Sequence, residues 1–140
     1  MHDTIQSMEI YDYNFDLNEI MQLYEKVGWT NYCEHPDLIA KAFAGSLCVL
    51  AAYEDGKLAG VIRAVGDGAS ILYIQDIAIC PGMQRKGVGT ALVRALLGRF
   101  PSVYQTVLMT DDVRSSESFY KSLGFSEVSD INCKAFVKLG

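Results

Sequence analysis

The sequence predicts a mixed α+β fold: a largely antiparallel sheet with one parallel crossover and helices on both faces. Two observations carry this expectation. Apolar runs at 48–53 and 58–65 flank Glu54-Asp55-Gly56-Lys57, and an Asp-Gly pair favours the positive backbone angles of a two-residue hairpin turn. Farther along, a β-branched and aromatic stretch at 70–79 is followed by a glycine loop, a segment of helical spacing and a second strand-like stretch at 103–110. Strand, loop, helix and strand in that order make a parallel crossover.

The 140 residues, half of them hydrophobic, suffice for the core of one domain spanning 1–140. Met8, Glu9, Ile10 and Tyr11 alternate weakly and open the fold as an edge strand. Asp16 then caps a helix whose third residue, Glu19, reaches back as in a capping box, with Phe15 and Ile20 placed as a hydrophobic staple. Ile20, Leu23, Tyr24 and Val27 share one face, and Gly28 supplies the stop. Pro36 suits the first turn of a second helix, whose apolar stripe is Leu38, Ala42 and Phe43 up to Gly45. After the hairpin, a polar turn at 66–69 leads into the central strand at 70–79, which Pro81-Gly82 ends. Leu92, Val93, Leu96, Leu97 and Phe100 keep helical spacing before the strand at 103–110. Ser115 caps a last helix carrying Phe119, Tyr120 and Leu123 and closed by Gly124, and a final strand runs over 131–139.

Composition narrows the function classes. No apolar run approaches the ~20 residues that cross a bilayer, and the chain begins polar and acidic at Met1-His2-Asp3-Thr4; a cytoplasmic protein without a membrane partner is expected. The four cysteines are scattered and read as reduced thiols, while Cys33 and His35 have no second Cys/His pair to complete a metal site, so no metal is expected. A formal net charge of -5 argues against nucleic acid and leaves room for a cationic substrate.

The run Gln84-Arg85-Lys86-Gly87-Val88-Gly89-Thr90 lies between a strand and a helix, where unpaired N–H groups and the positive end of the helix dipole favour an anion. Gly87 and Gly89 let the backbone approach a bulky phosphate, and Arg85 and Lys86 add positive charge at the rim. A nucleoside-triphosphate loop starting at Gly82 would place Val88 where the phosphate-binding lysine belongs. A dinucleotide fingerprint starting at Gly87 meets Leu92 where the third glycine belongs.

Gln84-x-x-Gly87-x-Gly89 after an apolar strand resembles the acetyl-coenzyme A loop of the GNAT superfamily of N-acetyltransferases. Phe119-Tyr120-Lys121-Ser122-Leu123-Gly124-Phe125 resembles that family's Phe-Tyr-x-x-x-Gly-Phe signature, and residues 74–79 resemble its splayed central strand. The resemblance implies an acetyl-CoA-dependent N-acetyltransferase that transfers the acetyl group to a primary amine of a small molecule or peptide by direct attack on the thioester. It places the cofactor pyrophosphate at residues 84–90, the pantetheine arm along the backbone of Ile77, Ala78 and Ile79, and Phe119 beside the cofactor. The family often carries an Asn shortly before the Phe-Tyr pair. Here that position is Val113, so the contact is either lost or supplied by Ser115 or Ser118. Dimers are common in the family, which makes a homodimer one expected assembly.

The chemistry needs a neutral amine, stabilisation of the developing oxyanion and a proton for the departing thiolate. An alkyl amine titrates near ~10, so a base must act first. Asp76 and Glu117 are the candidates, and Asp76 is preferred because it lies on the strand leading to the loop; alternatively it caps a turn or bonds buried backbone. The resemblance makes Tyr120 the general acid, against the alternative of a ring packed between helix and sheet. It also places the acceptor near Trp29, Tyr32, Tyr53, Arg63, Asp67 and Tyr73, where aromatic faces beside carboxylates suit a cation. Trp29 and Tyr32 alternatively plug the core below the first helix. A competing function class is a non-catalytic acyl-CoA-binding sensor or partner module, which would bind acetyl-CoA without turnover.

Overall fold

Asp55 and Gly56 take φ values of 51° and 77°, the consecutive left-handed pair that a tight hairpin turn requires. This is a computed structural model that describes residues 8–140; the polar start at residues 1–4 lies outside them. The turn joins β2 (Cys48–Glu54) to β3 (Lys57–Gly66). Around that hairpin lie β1 (Met8–Asp12), α1 (Leu17–Lys26), α2 (Thr30–Cys33), α3 (Pro36–Ala44), β4 (Leu72–Ile79), α4 (Val88–Arg99) and β5 (Thr106–Leu108). The sheet order is β1-β2-β3-β4-β5, antiparallel except for the parallel pair β4–β5. These elements form a first unit ending at Leu108; a second unit, Met109–Gly140, carries α5 (Arg114–Ser122) and a 3-10 turn at Val128–Ile131.

Helices cover both faces of the sheet. Ile20, Leu23, Ile39 and Phe43 from α1 and α3 pack on Val61 and Ala78. On the opposite face, α4 buries Leu92, Val93 and Leu96. Its first residue approaches so closely that a Cβ on Gly60 would lie 3.2 Å from Val88 Cγ1 and 3.0 Å from the Ala78 carbonyl oxygen. Gly60 therefore sets the depth at which the N-terminus of α4 rests on the sheet.

Several elements differ from the sequence reading. Asp16 does cap α1, accepting from the Glu19 N–H at 3.1 Å, but Glu19 does not complete a capping box. Its carboxylate instead receives the hydroxyls of Tyr13 at 2.8 Å and Tyr53 at 3.1 Å. Burial and Glu19 push the Tyr53 phenol up to about 12. Phe15 lies 5.0 Å from the Phe43 ring, ring centre to ring centre. In α3 the inward residues are Ile39 and Phe43, while Leu38 is about half exposed.

Ser115 does not cap α5, because Val113 holds the N-cap with extended angles and no side-chain bond, leaving Ser115 inside the first turn. Strand β5 is confined to three residues, since residues 101–102 form a turn and the Tyr104 N–H bonds Ala69 instead of a strand partner. The strand expected at 131–139 is not formed. Its first residue ends a 3-10 turn, Asn132 follows at φ 61°, and Phe136 and Leu139 are exposed with no strand paired to them among the described residues. A β-like pattern needs a ladder partner to become a strand.

The turn before β4 is held by Asp67, whose carboxylate accepts from the N–H groups of Ala69, Ser70 and Ile71 and from the Ser70 hydroxyl. The Ser70 hydroxyl and these backbone donors hold the Asp67 carboxyl well below the usual carboxylate range. A depressed folded-state value contributes stability above the unfolded-state value and loses it as pH falls through the folded one. Asp67→Asn is therefore expected to melt below wild type at pH 7, with the gap closing as pH drops beneath about 4, read by thermal unfolding across pH.

Candidate active site

Between β4 and α4 the chain runs through a 3-10 turn, Pro81–Met83, and a loop of residues 84–87. Arg85 and Gly87 both take left-handed angles, φ 66° and 84°, and Gly87 is the N-cap of α4 with no side-chain hydrogen bond. A side chain at Arg85 makes that conformation strained, a cost commonly found at ligand-holding turns. The first N–H groups of α4, at Val88, Gly89 and Thr90, thus have no cap to accept from them. The helix behind them has three turns to align its peptide dipoles, whose positive end lies at this tip.

Strand β4 leaves a second open feature. It pairs with β5 only from Leu72 to Ile74, so residues 75–79 have no strand on that side among the described residues. Unpaired backbone of this kind can accept an added strand. The ladder to β3 also breaks here: Arg63 pairs with Asp76 while Ala64 pairs with Ile74, leaving Gln75 as an extra residue. The bulge reverses the alternation of side chains. Asp76 thereby joins Arg63 on the face covered by α1 and α3.

There it meets a buried polar cluster. Asp76 Oδ2 accepts from Arg63 Nε at 2.7 Å and from the Tyr24 hydroxyl at 3.1 Å. Both charged side chains are 5% exposed. Arg63 also donates Nη1 to Ser46 Oγ at 3.2 Å and Nη2 to the Tyr32 hydroxyl at 3.3 Å, and its guanidinium lies 5.4 Å from the Phe43 ring centre. Tyr32 reaches Asp76 Oδ1 only at 3.4 Å, longer than a full O–H···O bond. Oδ1 therefore keeps accepting capacity. Burial, then the Asp76 charge, raise the Tyr24 and Tyr32 phenols above their ordinary value, with Arg63 offsetting part of the rise.

A cavity of about 420 Å³ opens against this cluster, lined by Trp29, Thr30, Asn31, Tyr32, Gln75 and Asp76 together with Gly28. The left-handed Gly28, φ 89°, turns the chain from α1 into α2 and so brings Trp29 and Tyr32 to the rim. Tyr24 is stacked on Tyr32 at 5.3 Å and sits 5.0 Å from Trp29. The lining contains one carboxylate and no cationic residue.

The pattern of the acetyltransferase (GNAT) family matches residues 14–125. The chain belongs to that family. This GNAT acetyltransferase is also 29% identical to the uncharacterized N-acetyltransferase ycf52 of Pyropia yezoensis, over 91% of this chain and 76% of that protein. Its fold matches that of a GNAT-family acetyltransferase from Streptococcus pneumoniae TIGR4 with a TM-score of 0.86 and 32% identity, covering 95% and 98% of the two chains. A more distant likeness is the ribosomal-protein-S18-alanine N-acetyltransferase of Escherichia coli, with a TM-score of 0.72, 22% identity and coverage of 86% and 78%. Acetyl transfer is thus the general chemistry of this fold and family.

In this GNAT acetyltransferase, Trp29, Tyr32 and Asp76 come together in one cavity, with Arg63 buried directly behind them. Tyr73 pairs across from Val65 and Val107 and is not part of the cavity lining. Tyr53 is tied to Glu19, and Asp67 to its own turn. In the second unit, the Tyr120 ring packs edge-on to Phe119 at 4.9 Å and to Phe125 at 5.9 Å. Burial, and then Asp111, raise its phenol above the ordinary value. Ser115 and Ser118 are exposed on α5, and it is Ser116 that bonds Asp111, at 2.8 Å.

Sequence reasoning missed Tyr24 and Gln75. Tyr24 sits in the apolar stripe of α1, and the available signal was that a buried tyrosine hydroxyl requires a partner. Gln75 carried none, because a bulge is a property of two strands together.

Proposed function

We propose that this chain is an acetyl-CoA-dependent N-acetyltransferase acting on a primary amine of a small molecule or peptide. One observation carries the reading: the unpaired stretch of β4 begins at Gln75, and Gln75 and Asp76 also line the cavity. A donor laid along the open strand edge would end beside a pocket of acceptor size.

The uncapped tip of α4 fits a diphosphate, with Gln84, Arg85, Lys86, Gly87, Val88, Gly89 and Thr90 holding it through backbone N–H groups and rim charge. The backbone of Ile77, Ala78 and Ile79 would hold the pantetheine arm. Acetyl-CoA supplies an activated acetyl thioester when bound. Asp76 Oδ1, the oxygen left open by Arg63 and Tyr24, receives the amine's proton through water. Tyr120, whose phenol is raised above its ordinary value by burial and then by Asp111, would return a proton to the leaving sulfur. Phe119 with Ser115 or Ser118 supports the cofactor, and Trp29 and Tyr32 flank the acceptor. Because α5 offers Val113 at its N-cap and no side-chain bond there, a second reading is a module that binds acetyl-CoA without turnover.

Two measurements on the full chain separate these readings. Millimolar acetyl-CoA is expected to raise the melting temperature by mass action. Coenzyme A release is then expected above background with at least one of an alanine-initiated peptide, glucosamine and 1,4-diaminobutane. Protection without release supports the binding module, and neither effect overturns both.

A further inference from the structure

We propose that Arg63 is a positioning residue for the acceptor cavity, acting through Tyr32 and Asp76. The inference rests on the reading of that cavity as the amine site. Arg63 itself is 4% exposed and absent from the lining. Its guanidinium grips the two groups that do line the cavity and carry its ionisable oxygens: Nε on Asp76 Oδ2 and Nη2 on the Tyr32 hydroxyl. Nη1 is anchored on Ser46 Oγ, so the planar fork is held against rotation from β4, from α2 and from the segment between α3 and β2.

Two consequences follow for an amine entering the cavity. Because Nε and Tyr24 occupy Oδ2, the carboxylate presents Oδ1. Because Nη2 donates to the Tyr32 oxygen, that phenol must send its single proton elsewhere, toward Oδ1 or the acceptor. The wall therefore offers one anionic acceptor oxygen beside one hydroxyl donor, with a fixed relation between them. Lysine at position 63 would preserve the charge opposite Asp76. It cannot hold Asp76, Tyr32 and Ser46 in one plane, since an ammonium has no rigid fork.

The test uses Arg63→Lys, Tyr32→Phe and the double variant, each checked for a cooperative thermal transition. Trp29 is the chain's sole tryptophan and lies in the cavity lining, so its emission reports amine binding independently of turnover. Titrations with the alanine-initiated peptide, glucosamine and 1,4-diaminobutane are run with coenzyme A present. Loss of a hydrogen bond to a charged group predicts about tenfold weaker amine binding in Arg63→Lys. The acceptor KM should rise in parallel, while the KM for acetyl-CoA stays at the wild-type value. The double variant should bind no more weakly than the weaker single one, since both remove the same link. Should Arg63→Lys fail to fold, Tyr32→Phe alone must still weaken the amine and spare acetyl-CoA.

Wild-type amine affinity in Arg63→Lys, additive losses in the double variant, or equal changes in both KM values would overturn the proposal. So would unchanged Trp29 emission with all three amines. Saturable binding that follows the predicted variant pattern without coenzyme A release would leave the positioning role standing and remove the enzyme reading instead.

Discussion

Arg63→Met is expected to destabilise the chain by about 3–5 kcal/mol, read as a lower urea midpoint at unchanged slope. The substitution removes the one cation that pairs, among the described residues, with a carboxylate that is 5% exposed. Tyr24 would still donate to Asp76 at 3.1 Å and Tyr32 would still approach it at 3.4 Å, but neutral hydroxyls do not replace a full charge on the adjacent strand. The Tyr32 hydroxyl and Ser46 would lose a donor as well. The same logic predicts a rescue. Pairing Arg63→Met with Asp76→Leu removes the stranded charge along with its partner, and should recover much of the loss, because apolar replacement of a whole buried ion pair is often near neutral. A rescued but inactive double variant would separate the stabilising role of the pair from its role in the cavity. If Arg63→Met alone unfolded at the wild-type midpoint, the pair would contribute little to stability.

Tyr120→Phe is expected to lower kcat by about 10²–10⁴-fold, the usual contribution of a placed general acid, with the melting temperature close to wild type. The ring keeps its edge contacts with Phe119 and Phe125, so only the hydroxyl is lost. The phenol is raised by burial and then by Asp111. A raised acid stays protonated through neutral pH and loses its proton only as pH climbs above its folded-state value. The wild-type kcat should therefore hold through the neutral range and fall on an alkaline limb above the ordinary phenol value of about 10. Asp111→Asn removes one cause of the rise, so that limb should move to lower pH. A Tyr120→Phe variant with wild-type kcat, or a limb indifferent to Asp111, would remove the assigned acid.

Much of the architecture was legible locally. The hairpin follows from Asp55-Gly56, since few residue pairs tolerate two successive positive φ values. The start of α1 follows from Asp16 and that of α3 from Pro36, because their chemistry acts within one helical turn. The glycine loop and uncapped α4 likewise need only neighbours in the chain. The final strand was misread because its alternation resembles a strand whether or not a partner exists, and residues 133–140 have none among the described residues.

The candidate cavity divides along the same line. Trp29, Tyr32, Arg63 and Asp76 were identifiable as polar or aromatic residues in the right segments, but their relation to one another was not. In an unbroken strand Asp76 would share a face with Leu72 and Ile74; the extra residue at Gln75 turns it to the other. Sequence alone determined the hairpin turn, the starts of α1 and α3 and the glycine loop before α4, because those preferences act over a few adjacent residues. Tertiary structure alone decided that Asp76 meets Arg63, and that Tyr24 and Tyr32 close around them, because register and bulges are set by pairing between distant parts of the chain.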